Sequence, residues 1–284
     1  MSPLPMRGTP LIESAGRAVG LLFAALLGAL LALPLAGIVF RVTPGALLAQ
    51  LGAPGVRQAL GLSLVTSLAA TVISLVLGLP MAALLATREF PGKRVLEVLM
   101  DLPMVIPPTV AGFALLMAFG RAGLLGGTLS AFGITLPFTT AGVVVAQVFM
   151  SVPFLVGAAR AGFAAVEPRY LDAAQTLRAG EVYAFLTVRL PLALPSVVAG
   201  LGMCWARALG EFGATITFAG NLAGTTRTVP LDVYLLLQEN LDAAATLSLI
   251  LIVMAAVLLA GMRQAGLGLF APPRAPRFAP TPTR

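Results

Sequence analysis

The sequence predicts an all-α membrane protein with six transmembrane helices. Two observations carry this expectation. Of 284 residues, 58% are hydrophobic and only 10% charged, against about 25% charge in soluble globular chains. Long charge-free runs also recur, and a hydrocarbon core of about 30 Å takes roughly 20 apolar residues of helix. A soluble enzyme is thereby excluded. The net charge of +7 accompanies only three Tyr and one Trp, a poor composition for a nucleic-acid face. With no histidine, His-based triads, HExxH zinc sites and imidazole relays drop out together. The single cysteine, Cys204, leaves neither an internal disulfide nor a cysteine metal cluster.

The spans follow in order at about 18–40, 58–87, 95–119, 138–159, 191–218 and 243–262. The first apolar run is longer than the 7–15 residues of a signal-peptide core, so it reads as an uncleaved helix after a cytoplasmic tail, 1–17. The third span contains Pro103, Pro107 and Pro108 after Asp101. Each proline removes a backbone donor, so this helix must be kinked or broken, and its freed carbonyls need partners that lipid cannot supply. A kink against a neighbouring helix and a pathway-lining role are both open. Gly123, Gly126, Gly127, Gly133 and Pro137 mark a loop before the fourth span. The fifth span carries Arg207 and Glu211, one helical step apart, able to pair on one face. That pair is either a self-shielded ion pair near the headgroups, or a group that attracts an oxyanion or locks a neighbouring helix. A polar loop over 221–228 precedes a short helix over 230–241, Cys204 and Trp205 read as packing residues, and the proline-rich tail at 263–284 reads as disordered.

Orientation follows from the basic residues, which short cytoplasmic loops retain. With both termini inside, the cytoplasmic set is Arg7, Arg17, Arg88, Lys93, Arg94, Arg160, Arg169, Arg178, Arg189, Arg263, Arg274, Arg277 and Arg284, thirteen in all. The outer set is Arg41, Arg57, Arg121 and Arg227, only four. The basic excess is thus topological and needs no dedicated anionic ligand.

Residues 160–190 form a cytoplasmic segment far longer than a minimal helix connection. Starting from Pro168, good helix formers run to Leu177, with Leu171, Ala174 and Leu177 on one side. A helix so short needs packing to hold it, either on its own membrane domain or on a cytoplasmic partner. Gly180 then offers a stop, and a second amphipathic stretch, 181–188, leads into Leu190 and Pro191.

These residues resemble the loop of bacterial and archaeal ABC-importer permeases, whose signature is E-A-A, three residues, G, nine residues, I, one residue, L-P. Here Asp172, Ala173 and Ala174 match the opening, and Val188, Leu190 and Pro191 the close. Asp172 replaces Glu and keeps the charge. Arg178 stands where the signature has Gly, and Gly180 could move the turn two residues onward. The resemblance extends over about 55–262. Phe90-Pro-Gly-Lys93, the run from Asp101 to Gly112, and the blocks from Ala208 to Thr215 and from Phe218 to Asn221 are most similar to the molybdate permease subgroup, with sulfate permeases as the nearest relative.

The resemblance implies a type I ABC-importer permease core that forms half of a pathway for molybdate or tungstate in the cell inner membrane. It implies a second permease copy, an extracytoplasmic oxyanion-binding protein, and an ATPase subunit whose cleft receives the short helix around Asp172 to Arg178, within a coupling loop of Asp172, Ala173, Ala174, Leu177, Arg178, Gly180, Val188, Leu190 and Pro191. The chain's one lysine, Lys93, is not in a G-x-x-x-x-G-K-[ST] setting, so ATP must be hydrolysed by a partner. No cofactor, metal or catalytic residue is expected. Pro103, Pro107, Pro108, Arg207 and Glu211 are the pathway or gate candidates. A sulfate permease is the alternative within the class. An ATP-independent secondary transporter is a rival, but it would preferably keep an ionisable group in mid-span.

Overall fold

The computed structural model describes residues 10–269. The regular structure among these residues is all helical: α1 (Pro10–Arg41), α2 (Pro44–Gly52), α3 (Pro54–Thr87), α4 (Lys93–Val105), α5 (Pro108–Phe119), α6 (Gly126–Ala131), α7 (Thr140–Ala164), α8 (Pro168–Thr176), α9 (Glu181–Ala184), a π-helical turn (Phe185–Arg189), α10 (Leu190–Leu209), α11 (Gly213–Phe218), α12 (Val229–Glu239) and α13 (Leu241–Leu269). Five helical stretches are long and apolar enough to cross a membrane: Arg17–Arg41, Pro54–Thr87, Thr140–Ala164, Glu181–Leu209 and Leu241–Met262.

The expected third span is divided. Neither α4, of 13 residues, nor α5, of 12, reaches across alone. The cause is local: Ile106 and Pro107 each precede a proline, which disfavours the helical region, and both are extended, with ψ of 141° and 137°. Pro103 is not the break; it sits buried inside α4. The fifth span is also divided, at Gly210–Phe212, so it does not continue as one helix to 218. The glycine-marked loop before α7 contains one short helix, α6.

The ends differ from expectation as well. Residues 10–17 of the expected tail belong to α1, and α13 continues to Leu269, past the expected start of a disordered tail at 263. The remainder of both expected tails, residues 1–9 and 270–284, lies outside the described residues.

The core is built around α7, which packs on both α3 and α10. Small side chains bring these helices close at particular points, as expected where helices associate in lipid. A Cβ on Gly162 would lie 2.5 Å from Ser196 Cβ, and one on Gly200 would lie 2.8 Å from Ala158 Cβ. Ala82, Leu85, Leu155, Ala159, Phe163 and Cys204 form the largest buried cluster. A second one, with Ala111, Ala146, Met150, Ala214 and Phe218, joins α5 and α11 to α7. A third joins the start of α3 to α12 and α13 through Val56, Ala59, Val229 and Leu247. By contrast, the apolar stretch of α1 buries nothing. It meets α13, and Arg41 Nε lies 2.6 Å from Asp242 Oδ1.

Candidate functional site

Two places collect the residues that the sequence singles out. One is the segment between α7 and α10. Helix α8 opens at Pro168, where a proline costs no intrahelical bond. It closes with the Ala179 N–H donating to the Ala174 carbonyl at 3.1 Å, which makes Arg178 the residue just past the helix. Arg178 stands at φ 60°, in the left-handed region, while Gly180 is extended at φ −63°. The turn therefore stays at the position the signature gives to Gly and does not move to Gly180. The reason is geometric: where α8 ends fixes which residue must turn left-handed, and Gly180 lies two places too late. A side chain held there costs of order 1 kcal/mol.

The second half of this segment runs through α9 into the π turn, where the Leu190 N–H reaches back to the Phe185 carbonyl. Pro191 explains the widening: it has no N–H for the Thr187 carbonyl four residues earlier, and its ring crowds that carbonyl. Thr187 Oγ1 donates to the Tyr183 carbonyl at 2.6 Å. Arg88 and Glu181 form an ion pair between the end of α3 and α9.

Helix α8 packs on α9 and the π turn. The three together leave an open hollow of about 660 Å3 whose walls include Tyr170, Ala173, Ala174, Leu177, Arg178, Gly180 and Val188. Leu177 is 83% exposed while Leu171 and Ala174 are half-buried, so the apolar stripe expected on α8 is only partly covered. Asp172 is exposed too, and Leu190 packs on the main core cluster while Pro191 is exposed.

The other place is the junction of the two broken helices. Arg207 stands in the last turn of α10, and Glu211 sits in the gap before α11. Arg207 Nη1 lies 2.5 Å from Glu211 Oε2, and Glu211 Oε1 accepts from the Ala214 N–H at 2.7 Å. A cation at a helix C-terminus and an anion at a helix N-terminus each suit the local backbone dipoles. Glu211 is 1% exposed and Arg207 25%. The expected pair thus forms, but across a helix break and not along one continuous helical face.

Helices α5 and α11 cross here at close range. A Cβ on Gly213 would lie 2.6 Å from Pro108 Cβ, and one on Gly112 would lie 2.6 Å from the Ala214 carbonyl oxygen. An open hollow of about 330 Å3 results, lined by Pro108, Thr109, Arg207, Gly210, Glu211, Phe212 and Gly213. Of the proline candidates, Pro108 reaches it, Pro107 forms the bend beside it, and Pro103 does not line it. Phe212 also packs on Tyr234, with ring centroids 5.1 Å apart, which ties the break to α12.

Several polar residues escaped the sequence reading. Ser63, Thr66, Ser67 and Ser74 are buried along α3 at helical spacing, a stripe that does mark its packed face. Ser63 Oγ accepts from the Val229 N–H at 2.7 Å, and Trp205 Nε1 donates to Ser67 Oγ at 3.0 Å. Gln147 of α7 is fully buried, with neither side-chain polar atom partnered among the described residues. On α12, outside the long apolar helices, burial raises the Asp232 carboxyl above its ordinary range; Arg227 opposes the rise and Glu239 adds to it. Among the described residues no three Cys, Asp or Glu side chains converge as a metal site would require.

Comparison with known proteins agrees with this architecture. The family described as "Binding-protein-dependent transport system inner membrane component" matches residues 74–265. The chain is 47% identical over 235 residues to the molybdenum transport system permease protein ModB of Mycobacterium bovis, covering 81% of this chain and 88% of that protein. It is 39% identical over 179 residues to the sulfate transport system permease protein CysT of Salmonella typhimurium, covering 63% and 64%. Among solved structures, a bacterial ABC transporter that imports the acidic polysaccharide alginate matches with TM-score 0.74 and 14% identity, over 92% of this chain and 100% of that one. That likeness shows the fold.

Proposed function

The chain belongs to the family of binding-protein-dependent transport system inner membrane components, and on that premise we propose that it is the membrane subunit of an ATP-driven importer of molybdate. The ion reading is supported by the 47% identity to a molybdenum permease over most of both chains. Tungstate, of the same charge and tetrahedral form, belongs to the same substrate class. Identity to a sulfate permease, at 39%, favours sulfate as the second reading.

In this reading two copies of the chain enclose the pathway, an extracytoplasmic binding protein delivers the anion, and a separate ATPase drives the cycle. Both termini are cytoplasmic in this reading, which the distribution of basic residues supports. The observation that carries energy coupling is the exposed α8, with Leu177 uncovered beside a hollow that its own membrane domain leaves unfilled. ATP-dependent closure of the ATPase pair against this foot would be relayed through α9 and the π turn into α10. The pathway would then alternate between two global states biased from a distance. Pro107, Pro108, Arg207 and Glu211 lie at the bend points of the pathway, while Pro103 serves packing.

Reconstitution tests the reading. Vesicles holding the permease with its ATPase and binding protein should accumulate molybdate only when ATP is supplied, with tungstate competing more strongly than sulfate. Accumulation without nucleotide would overturn the coupling, and preferential sulfate uptake would move the chain to the second reading.

A further inference from the structure

Glu211 and Arg207 share one hollow but hold different positions in it. The Glu211 carboxylate is 1% exposed: Oε1 accepts from the Ala214 N–H, and Oε2, with no hydrogen-bond partner among the described residues, is ion-paired with Arg207 Nη1. The Arg207 guanidinium is engaged at Nη1 only, with no other acceptor among the described residues, and its side chain remains 25% exposed. A guanidinium presents five donors, and an oxyanion is its natural partner. The adjoining wall adds Thr109, a residue with a hydroxyl donor, from the start of α5. Interrupted backbone inside a membrane is tolerated where it lies in protein or lines a water-filled path, and this hollow lies against both interruptions. A lone buried cation would bind a divalent anion tightly and slow its release. A fixed carboxylate beside the cation reduces that attraction.

We propose that this hollow is a transit subsite for a small oxyanion such as molybdate, contacted by the Arg207 guanidinium and the Thr109 hydroxyl and kept weak by the Glu211 carboxylate. The proposal rests on the transport reading above. It makes Glu211 a positioning residue that sets how long the anion stays, with Arg207 as the contact.

The test measures retention of radiolabelled molybdate by the nucleotide-free permease–ATPase complex, without the binding protein, alongside ATP-driven uptake by the complete system. Glu211→Gln keeps an oxygen for the Ala214 N–H and removes the charge. It should raise retention at least about tenfold, the worth of one charge-assisted hydrogen bond, and slow the turnover of uptake. Adding Arg207→Met should return retention to the wild-type level. Thr109 is exposed, so Thr109→Lys provides an independent route should Glu211→Gln fail to assemble: a second cation should likewise increase retention and slow uptake. Retention no greater than wild type in assembled Glu211→Gln, or an unaltered uptake rate in Thr109→Lys, overturns the subsite. Failure of the transport reading is seen separately, as absence of ATP-driven molybdate uptake by the wild-type system.

Discussion

Gly213 lies against Pro108 with no room for a side chain, since a Cβ there would come within 2.6 Å of Pro108 Cβ. The contact joins the first turns of α5 and α11, the two helices that restart after the breaks. Gly213→Ala should therefore push them apart at a cost of about 1–3 kcal/mol. A lower unfolding temperature of the purified complex, together with reduced uptake, is the expected result. Unchanged values for both would mean that the crossing is loose.

Arg178 offers the opposite sign. Its φ of 60° is one that Gly adopts freely, so Arg178→Gly should stabilise the end of α8 by about 1 kcal/mol. Hydrogen exchange at the Ala179 amide, which closes the turn, should slow about fivefold by the same free energy. Faster exchange would show that the arginine side chain makes a contact worth more than the strain.

Ala174 lines the hollow beside α8 and is half-buried. Ala174→Arg should fill part of that hollow and separate ATP hydrolysis from transport, with molybdate uptake falling at least about tenfold. Membrane insertion should be unaffected. Unimpaired ATP-driven uptake by this variant would count against docking at α8.

Asp232 supplies a pH dependence. Its carboxyl titrates above the ordinary value of 3.8, chiefly because of burial, so the folded state holds its proton more tightly than the unfolded one. Its contribution to stability then falls as pH rises from about 3.8 through the raised value. Asp232→Asn should flatten that part of the stability curve. A slope identical in both proteins would assign it to other groups.

Lys93 and Arg227 test orientation. Single cysteines at these positions, in a background with Cys204→Ala, should label from opposite faces of the membrane. Labelling from one face alone would require a different number of crossings.

Much of the architecture was legible because it depends on composition and on proline chemistry. Apolar runs located the long helices, and consecutive prolines at 107 and 108 announced the break between α4 and α5. The break at Gly210 was hidden, because Arg207 and Glu211 at a four-residue interval read as continuous helix. The signal lay in Gly210 and Gly213 on either side, and only tertiary packing against Pro108 shows why Gly213 has to be glycine. At α8 the sequence placed the helix but not its turn, since that depends on the residue at which the Ala174 carbonyl is satisfied. Thr109 and Phe212 lay inside runs that carry the family resemblance, but their individual roles, like that of Tyr234, arise only where separate elements meet.

The bare flanks of α1 have a consequence for how the molecule is handled. Lipid tails are as apolar as the leucines that face them, so such a helix gains little by leaning on its neighbours, and with so little packing its tilt is free to adjust to the bilayer. Its link to the start of α13 is the solvent-accessible pair Arg41 and Asp242, the kind of contact that salt weakens. In detergent at high ionic strength α1 is consequently the first element to drift from its seat, while the bundle around α7 keeps its shape.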